Sequence, residues 1–228
     1  MYFYNDPTFL LLIPAMLLAF YAQWKVGSTY RKYALVKTAQ GKNGVAVAKS
    51  LLEKGGMHGI SVNAIPGELT DNYDPRGKTL NLSEAIYRGD SVAAVGIVAH
   101  EVGHALQDKE AYAPLMLRSS IVPVSNFGTT LAFPLFILGL FTSLTWLMDV
   151  GIVLFSLAVF FTLVTLPVEF NASRRAVILL RGGQYLTESE LAGAKKVLNA
   201  AALTYVAATT MAILQLLRLI MMRGQRDD

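Results

Sequence analysis

His100-Glu101-Val102-Gly103-His104 is the stretch of this chain whose residue types and spacing point most directly to chemistry. It sits in the apolar run SVAAVGIVAHEVGHALQ, residues 91–107. Residues four apart share one face of a helix, with β-carbons about 6 Å apart, so two imidazoles at that spacing can reach one metal ion. Glu101 lies about 100° further round the same helix. There it stands beside the metal without binding it and can take a proton from water that the metal acidifies. The competing reading is a pair of core histidines. It leaves polar groups in an apolar helix without partners, which is costly, whereas a metal satisfies both rings at once. The chain holds three His, two of them in this motif, and no Cys. Disulfides, thiolate metal sites and cysteine nucleophiles are therefore excluded, and any metal is bound through His, Asp or Glu. Zinc (Zn2+) is the ion such a motif takes.

A catalytic zinc needs a third protein ligand and an open position. His58, in Gly-Gly-Met-His-Gly, reads as a surface histidine in a loop. Glu110 stands six residues past His104, where some zinc peptidases carry a third His. Those peptidases need a Gly that turns the chain back, and Gln107 occupies its place. Glu169 is the best candidate: on a helix it shares a face with Ala172, Ser173 and Ala176, small residues that let another helix approach closely. An acidic residue at the end of a membrane helix needs a partner or a purpose. The bland alternative for Glu169 is an exposed carboxylate paired with Arg174 or Arg175.

The elements that position these groups follow from composition. Of 228 residues, 54% are hydrophobic and only 16% charged, against about 25% charged in an ordinary soluble domain. Spans are expected at 8–24, 119–141 and 146–168, with a weaker one at 200–222 whose Thr204, Thr209, Thr210 and Gln215 suggest packing against other helices. Met1 to Asp6 contain no basic residue, which favours a retained helix over a signal peptide. Lys25, Arg31, Lys32, Lys37, Arg118, Arg174, Arg175 and Arg181 place residues 25–118 and 169–199 on the cytoplasmic side. Arg218, Arg223 and Arg226 disagree, and Asp227 and Asp228 offset them only weakly. The net charge of +4 fits anchoring at an anionic membrane face, and no pattern suggests nucleic acid.

Between the first two spans, residues 25–118 read as a catalytic lobe. A helix through Val45, Ala48, Leu51 and Leu52 stops at Gly55-Gly56; Ile60 to Val62 is a short strand; Pro66-Gly67 is a turn. Thr79, Leu80, Asn81 and Leu82 alternate as a half-buried strand does. Asp90 is expected to cap a helix reaching Gln107, and Thr187 with Glu190 forms a capping box after Gly182-Gly183. The expected fold class is mainly α: one unit, 1–228, a helical membrane protein with about four transmembrane helices and a small α+β metallopeptidase lobe at the membrane face.

Asp71-Asn72-Tyr73-Asp74-Pro75-Arg76, Leu80 through Gln107, LPVEFNASRRA (166–176) and AALTYVAA from Ala201 together carry a resemblance. The chain resembles the YugP-like bacterial membrane zinc metallopeptidases and is more distantly similar to HtpX and the CAAX prenyl proteases. The resemblance implies a zinc endopeptidase with His100, His104 and Glu169 as ligands, Ala172 matching the relatives' E-x-x-A-D pattern. Ser173 stands where they have Asp, which puts in question the hydrogen bond that Asp provides. It also implies that Thr79, Leu80, Asn81 and Leu82 form an edge that binds an extended peptide by strand addition. The setting implied is a multi-pass protein of the inner (cytoplasmic) membrane, its site on the cytoplasmic side. Partners are membrane lipid and protein or peptide substrates near it, with homo-oligomers or an adaptor protein left open. Tyr73, Arg76 and Arg174 are the candidates for stabilising an oxyanion, though structural roles suit each better. One rival is a non-catalytic, metal-stabilised membrane scaffold or adaptor, which has no need of Glu101 and closes zinc with four ligands. Another is a metal transporter or sensor, which calls for ionisable residues in mid-span; none lies in 121–140 or 151–168.

Overall fold

The computed structural model describes residues 7–225. Met1 to Asp6, read above as lacking a signal-peptide pattern, and the tail charges Arg226, Asp227 and Asp228 lie outside the described residues. After a 3-10 turn at Pro7–Leu12 come seven α-helices and three strands: α1 Ile13–Ala34, α2 Gly44–Lys54, β1 Ser61–Ile65, β2 Asn72–Asp74, β3 Thr79–Ser83, α3 Glu84–Arg88, α4 Val92–Lys109, α5 Ala113–Thr142, α6 Thr145–Gly182 and α7 Glu188–Gly224. Among the described residues four helical stretches are long and apolar enough to cross a membrane: Thr8–Ala34, Ala113–Thr142, Thr145–Gly182 and Glu188–Gly224. The chain is thus a mainly α membrane protein with a small α+β part, and it divides into two compact units.

One unit comprises Met1–Gln23, Leu117–Pro167 and Thr204–Asp228. Its core joins Ala132 and Phe136 of α5, Met148, Phe155 and Val159 of α6, and Leu219 of α7. Gly151 lets α5 and α6 touch backbone to backbone, since a β-carbon there would lie 2.7 Å from the Ala132 oxygen. Outward the helices expose aromatics, including Phe127 and Phe160, as surfaces solvated by acyl chains do. Hydroxyls must find partners in such a medium. Thr130, Thr165 and Thr210 bond back to the carbonyls of Asn126, Phe161 and Val206, and Thr209, buried, donates across to the Thr162 oxygen.

The other unit comprises Trp24–Met116 and Val168–Leu203. Its sheet has the order β1-β3-β2, with β1 parallel and β2 antiparallel to β3. Leu80 and Leu82 point from β3 into a core shared with Val47, Leu51, Val95 and Val98 of α2 and α4. On the opposite face Asn63, Asn81 and Asn72 stand in register across the three strands and bond side chain to side chain.

This topology corrects the expectation for Thr79, Leu80, Asn81 and Leu82. They occupy the central strand, β1 pairing all of Thr79–Ser83 and β2 pairing Thr79 to Asn81. Beyond β2, Asp71 Oδ1 accepts from the Ser83 N–H. Their backbone groups are therefore taken, and they are no edge for an incoming peptide. The helix cap also shifts by one residue: Ser91, not Asp90, caps α4, its side chain accepting from the Ala94 N–H at 3.2 Å. Asp90 instead pairs with Lys37 at 3.2 Å. At the other helices the expected signals operate. Gly55 ends α2, and Glu190 Oε2 and Thr187 Oγ1 exchange bonds with each other's N–H groups ahead of α7.

If Ser91 is the cap, Ser91→Ala lowers unfolding stability by about 1 kcal/mol, and Asp90→Ala, which removes an exposed ion pair, by clearly less. Thermal denaturation of the two variants in detergent checks the order; the reverse order would return the cap to Asp90.

Candidate metal centre

Gly103, inside the motif of α4, faces Ala172 of α6. A β-carbon at Gly103 would stand 2.7 Å from the Ala172 carbonyl oxygen, closer than real side chains come to backbone. Ala172 and Ala176 are wholly buried on the matching face. Three small residues therefore let the two helices touch, and the contact carries Glu169 to the histidines. Glu169 Oε2 lies 3.2 Å from His100 Nε2 and 3.5 Å from His104 Nε2. The imidazole rings stand edge to face with centroids 4.8 Å apart.

Whether a zinc ion fits can be tested on these distances. A tetrahedral ion with ligand bonds of about 2.0–2.1 Å holds its donor atoms roughly 3.3 Å apart. The two N···O separations straddle that value. One ligand atom from each of His100, His104 and Glu169 lies within 4.8 Å of the others, and among the described residues no further His, Asp or Glu joins them. Two imidazoles and a carboxylate form a donor set suited to zinc.

Behind each ring sits a second partner. The Ser173 hydroxyl meets His100 Nδ1 at 3.2 Å, and Gln107 Oε1 meets His104 Nδ1 at 3.0 Å. With Nδ1 so engaged, Nε2 of both rings is the nitrogen turned to Glu169, which is how outer partners orient metal ligands. Ser173 thus contacts the His100 ring from α6, the helix that bears Glu169. Gln107 does more. Fully buried, it donates from Nε2 to the Val168 carbonyl at 2.8 Å and to Asn171 Oδ1 at 2.9 Å. Asn171 is held in turn by Arg175 Nε at 2.6 Å, and Arg175 pairs with Glu110 at 2.7 Å. This relay ties the ring of His104 to the stretch of α6 that bears Glu169. In the sequence Gln107 registered only as the absence of a glycine. The signal available was a polar residue three positions past His104, on the same face of an apolar helix.

Glu101 is buried beside the cluster. Burial pushes its carboxyl upward, His100 and His104 pull it back, and the charges of Glu169 and Asp71 raise it again. Asp71, from the DNYDPR stretch, is itself pushed up by burial against hydrogen bonds from Ser83. For His104, burial opposes the charged form, but the hydrogen bond to Glu169 and the charge of Glu101 outweigh it and raise the ring. The remaining candidates lie elsewhere. His58 is exposed, Glu110 is engaged by Arg175, and Tyr73 donates its hydroxyl to Asp108 at 2.6 Å. Arg76 and Arg174 are exposed.

Two substitutions test this architecture. Gly103→Ala forces a β-carbon against backbone and should cost about 1–3 kcal/mol of stability together with bound zinc, read by thermal denaturation and metal analysis. Gln107→Leu keeps the volume but frees the His104 ring, and zinc affinity should fall by about 10–100-fold in a competition titration. Unchanged affinity would reduce Gln107 to a packing residue.

A family model described as "Putative neutral zinc metallopeptidase" matches residues 8–224. The chain is also 45% identical over 211 residues to the "Putative membrane protease YugP" of Bacillus subtilis (strain 168), covering 92% of this chain and 94% of that protein. No solved structure matches. With the family model spanning nearly the whole chain, including His100, His104 and Glu169, the protein belongs to the neutral zinc metallopeptidase family.

Proposed function

We propose that this protein is a membrane-integrated, zinc-dependent endopeptidase in which His100, His104 and Glu169 hold the metal and Glu101 is the general base. The observation that carries the reading is the meeting of just three ligating side chains, among the described residues, beside a buried carboxylate that is not one of them. A structural zinc site closes with four protein ligands, while a catalytic one keeps a position free. This argues against the scaffold reading.

Zinc at this place supplies Lewis acidity, polarising the scissile carbonyl and acidifying water. The protein supplies orientation and proton transfer. Ser173 and Gln107 fix the two rings, and Glu169 closes the ligand set from the facing helix. Glu101 takes one proton from the water that attacks the carbonyl carbon and passes it to the leaving nitrogen as the C–N bond breaks. A carboxyl raised by burial holds a proton better than an exposed one, and the charge of a bound cation tempers that shift.

The Lys and Arg residues flanking the apolar spans support a place in the cytoplasmic membrane with the site on the cytoplasmic side. In this reading the spans are 8–24, 119–141, 146–168 and 200–222, with the ligands contributed by 25–118 and 169–199. A site on that face suits membrane proteins or peptides close to the membrane surface as substrates. Adaptor proteins or further copies of the chain are compatible with this setting.

Glu101→Gln should keep its zinc and lose cleavage by about 100-fold or more; normal cleavage by this variant would remove the enzyme assignment. Glu169→Ala should lose zinc on dialysis. Protons compete with the metal, because His104 must be neutral to bind it. Its raised value stabilises the metal-free fold below the ordinary imidazole value of about 6.5, and that contribution disappears as pH rises through the raised value. The raised Glu101 acts in the same direction. Chelated protein should therefore melt lower as pH rises from mildly acidic to mildly alkaline, while the increment from added zinc grows. Parallel melting curves across that range would refute the coupling.

A further inference from the structure

Lys25 and Lys32 lie two turns apart on one face of α1, and with Lys196 of α7 they line a single cleft of about 520 Å3. Among the described residues none of the three ammonium groups meets a carboxylate; Lys32 lies 5.6 Å from the Tyr33 ring centroid. All three are exposed, and three like charges along one cleft make its potential favourable to an anion. Neutral donors accompany them, the Thr29 hydroxyl and the Asn199 amide, while Ser28 turns its hydroxyl back to the Lys25 carbonyl. Trp24 and Leu203 complete the wall with apolar surface.

We propose that this cleft binds the phosphate headgroup of an anionic membrane phospholipid. Ammonium groups take phosphate as point charges and do not require a fixed fork geometry. Depth decides between a lipid and a soluble phosphate. Both helices that line the cleft are long and apolar enough to cross a membrane. Trp24 ends the apolar run of α1 and is 61% exposed, as residues at the headgroup level are. Lys25 is the first charge after that run. The apolar wall suits the glycerol and upper acyl carbons of a lipid, which free phosphate lacks. The cleft contains neither metal ligands nor Glu101, so the proposal stands apart from the hydrolytic reading.

The test uses the full chain in phosphatidylcholine nanodiscs with and without phosphatidylglycerol, followed by native mass spectrometry of the lipids retained. Wild type should keep phosphatidylglycerol in preference to phosphatidylcholine and melt higher in its presence. Replacing Lys25, Lys32 and Lys196 together by Gln should weaken that retention by at least about tenfold with zinc content unchanged. Arg at the same three positions should restore it. Removing Lys42, Lys49 and Lys54 instead takes away equal charge elsewhere and should leave retention as in wild type. Absence of any preference in the wild-type protein overturns the proposal even if the Gln variant fails to fold. So does equal loss in the second triple variant, which would mean diffuse attraction. Displacement of the lipid by free glycerol phosphate at comparable concentration would make the cleft a soluble-anion site and overturn the lipid assignment.

Discussion

The approach of α4 to α6 at Gly103 and Ala172 is the constraint on which the centre depends. Glutamate is short, and Glu169 reaches both histidines because nothing larger than hydrogen separates the helix backbones there. Moving α6 outward by the radius of a methyl group would lengthen both N···O distances together and open the donor triangle beyond what a tetrahedral ion spans. The same closeness lets Gln107 reach the Val168 carbonyl and Asn171, so the relay behind His104 shares that geometric origin. Packing between small residues, more than any individual ligand, makes the site.

The polar groups at the centre are expensive to bury and are satisfied in a connected way. Glu169 lies between two rings, each ring has a second partner, and Gln107 uses both ends of its amide. Such networks are rigid when complete and costly when broken. An orienting residue in this protein is therefore also a stability residue, and metal content together with pH response separates the two roles better than activity alone.

Much of this was legible in the sequence because it rests on short-range periodicity. The i, i+4 spacing of the histidines, the small residues around Glu169, the stop at Gly55 and the capping box at Thr187 are all local patterns, and the helices follow them. What was not legible depended on partners distant in the chain. Asp90 and Ser91 are both competent caps; in the fold Ser91 takes the role while Asp90 pairs with Lys37, a neighbour only in space. The alternation in Thr79–Leu82 reports a strand with one buried face but says nothing of how many neighbours it has, so its place at the middle of the sheet was invisible. β2 and α3 are too short to produce a period. The Ser173 hydroxyl reaches His100, 73 positions away in the chain, a contact that no local pattern announces.

His100 and Glu169 are 69 positions apart in the chain, and two apolar spans lie in the interval. A ribosome has to deliver both apolar stretches before Glu169 exists. Until then the two histidines lack the carboxylate that lies between their rings. The cluster of His100, His104 and Glu169 therefore cannot assemble until the apolar segments between its members have been made.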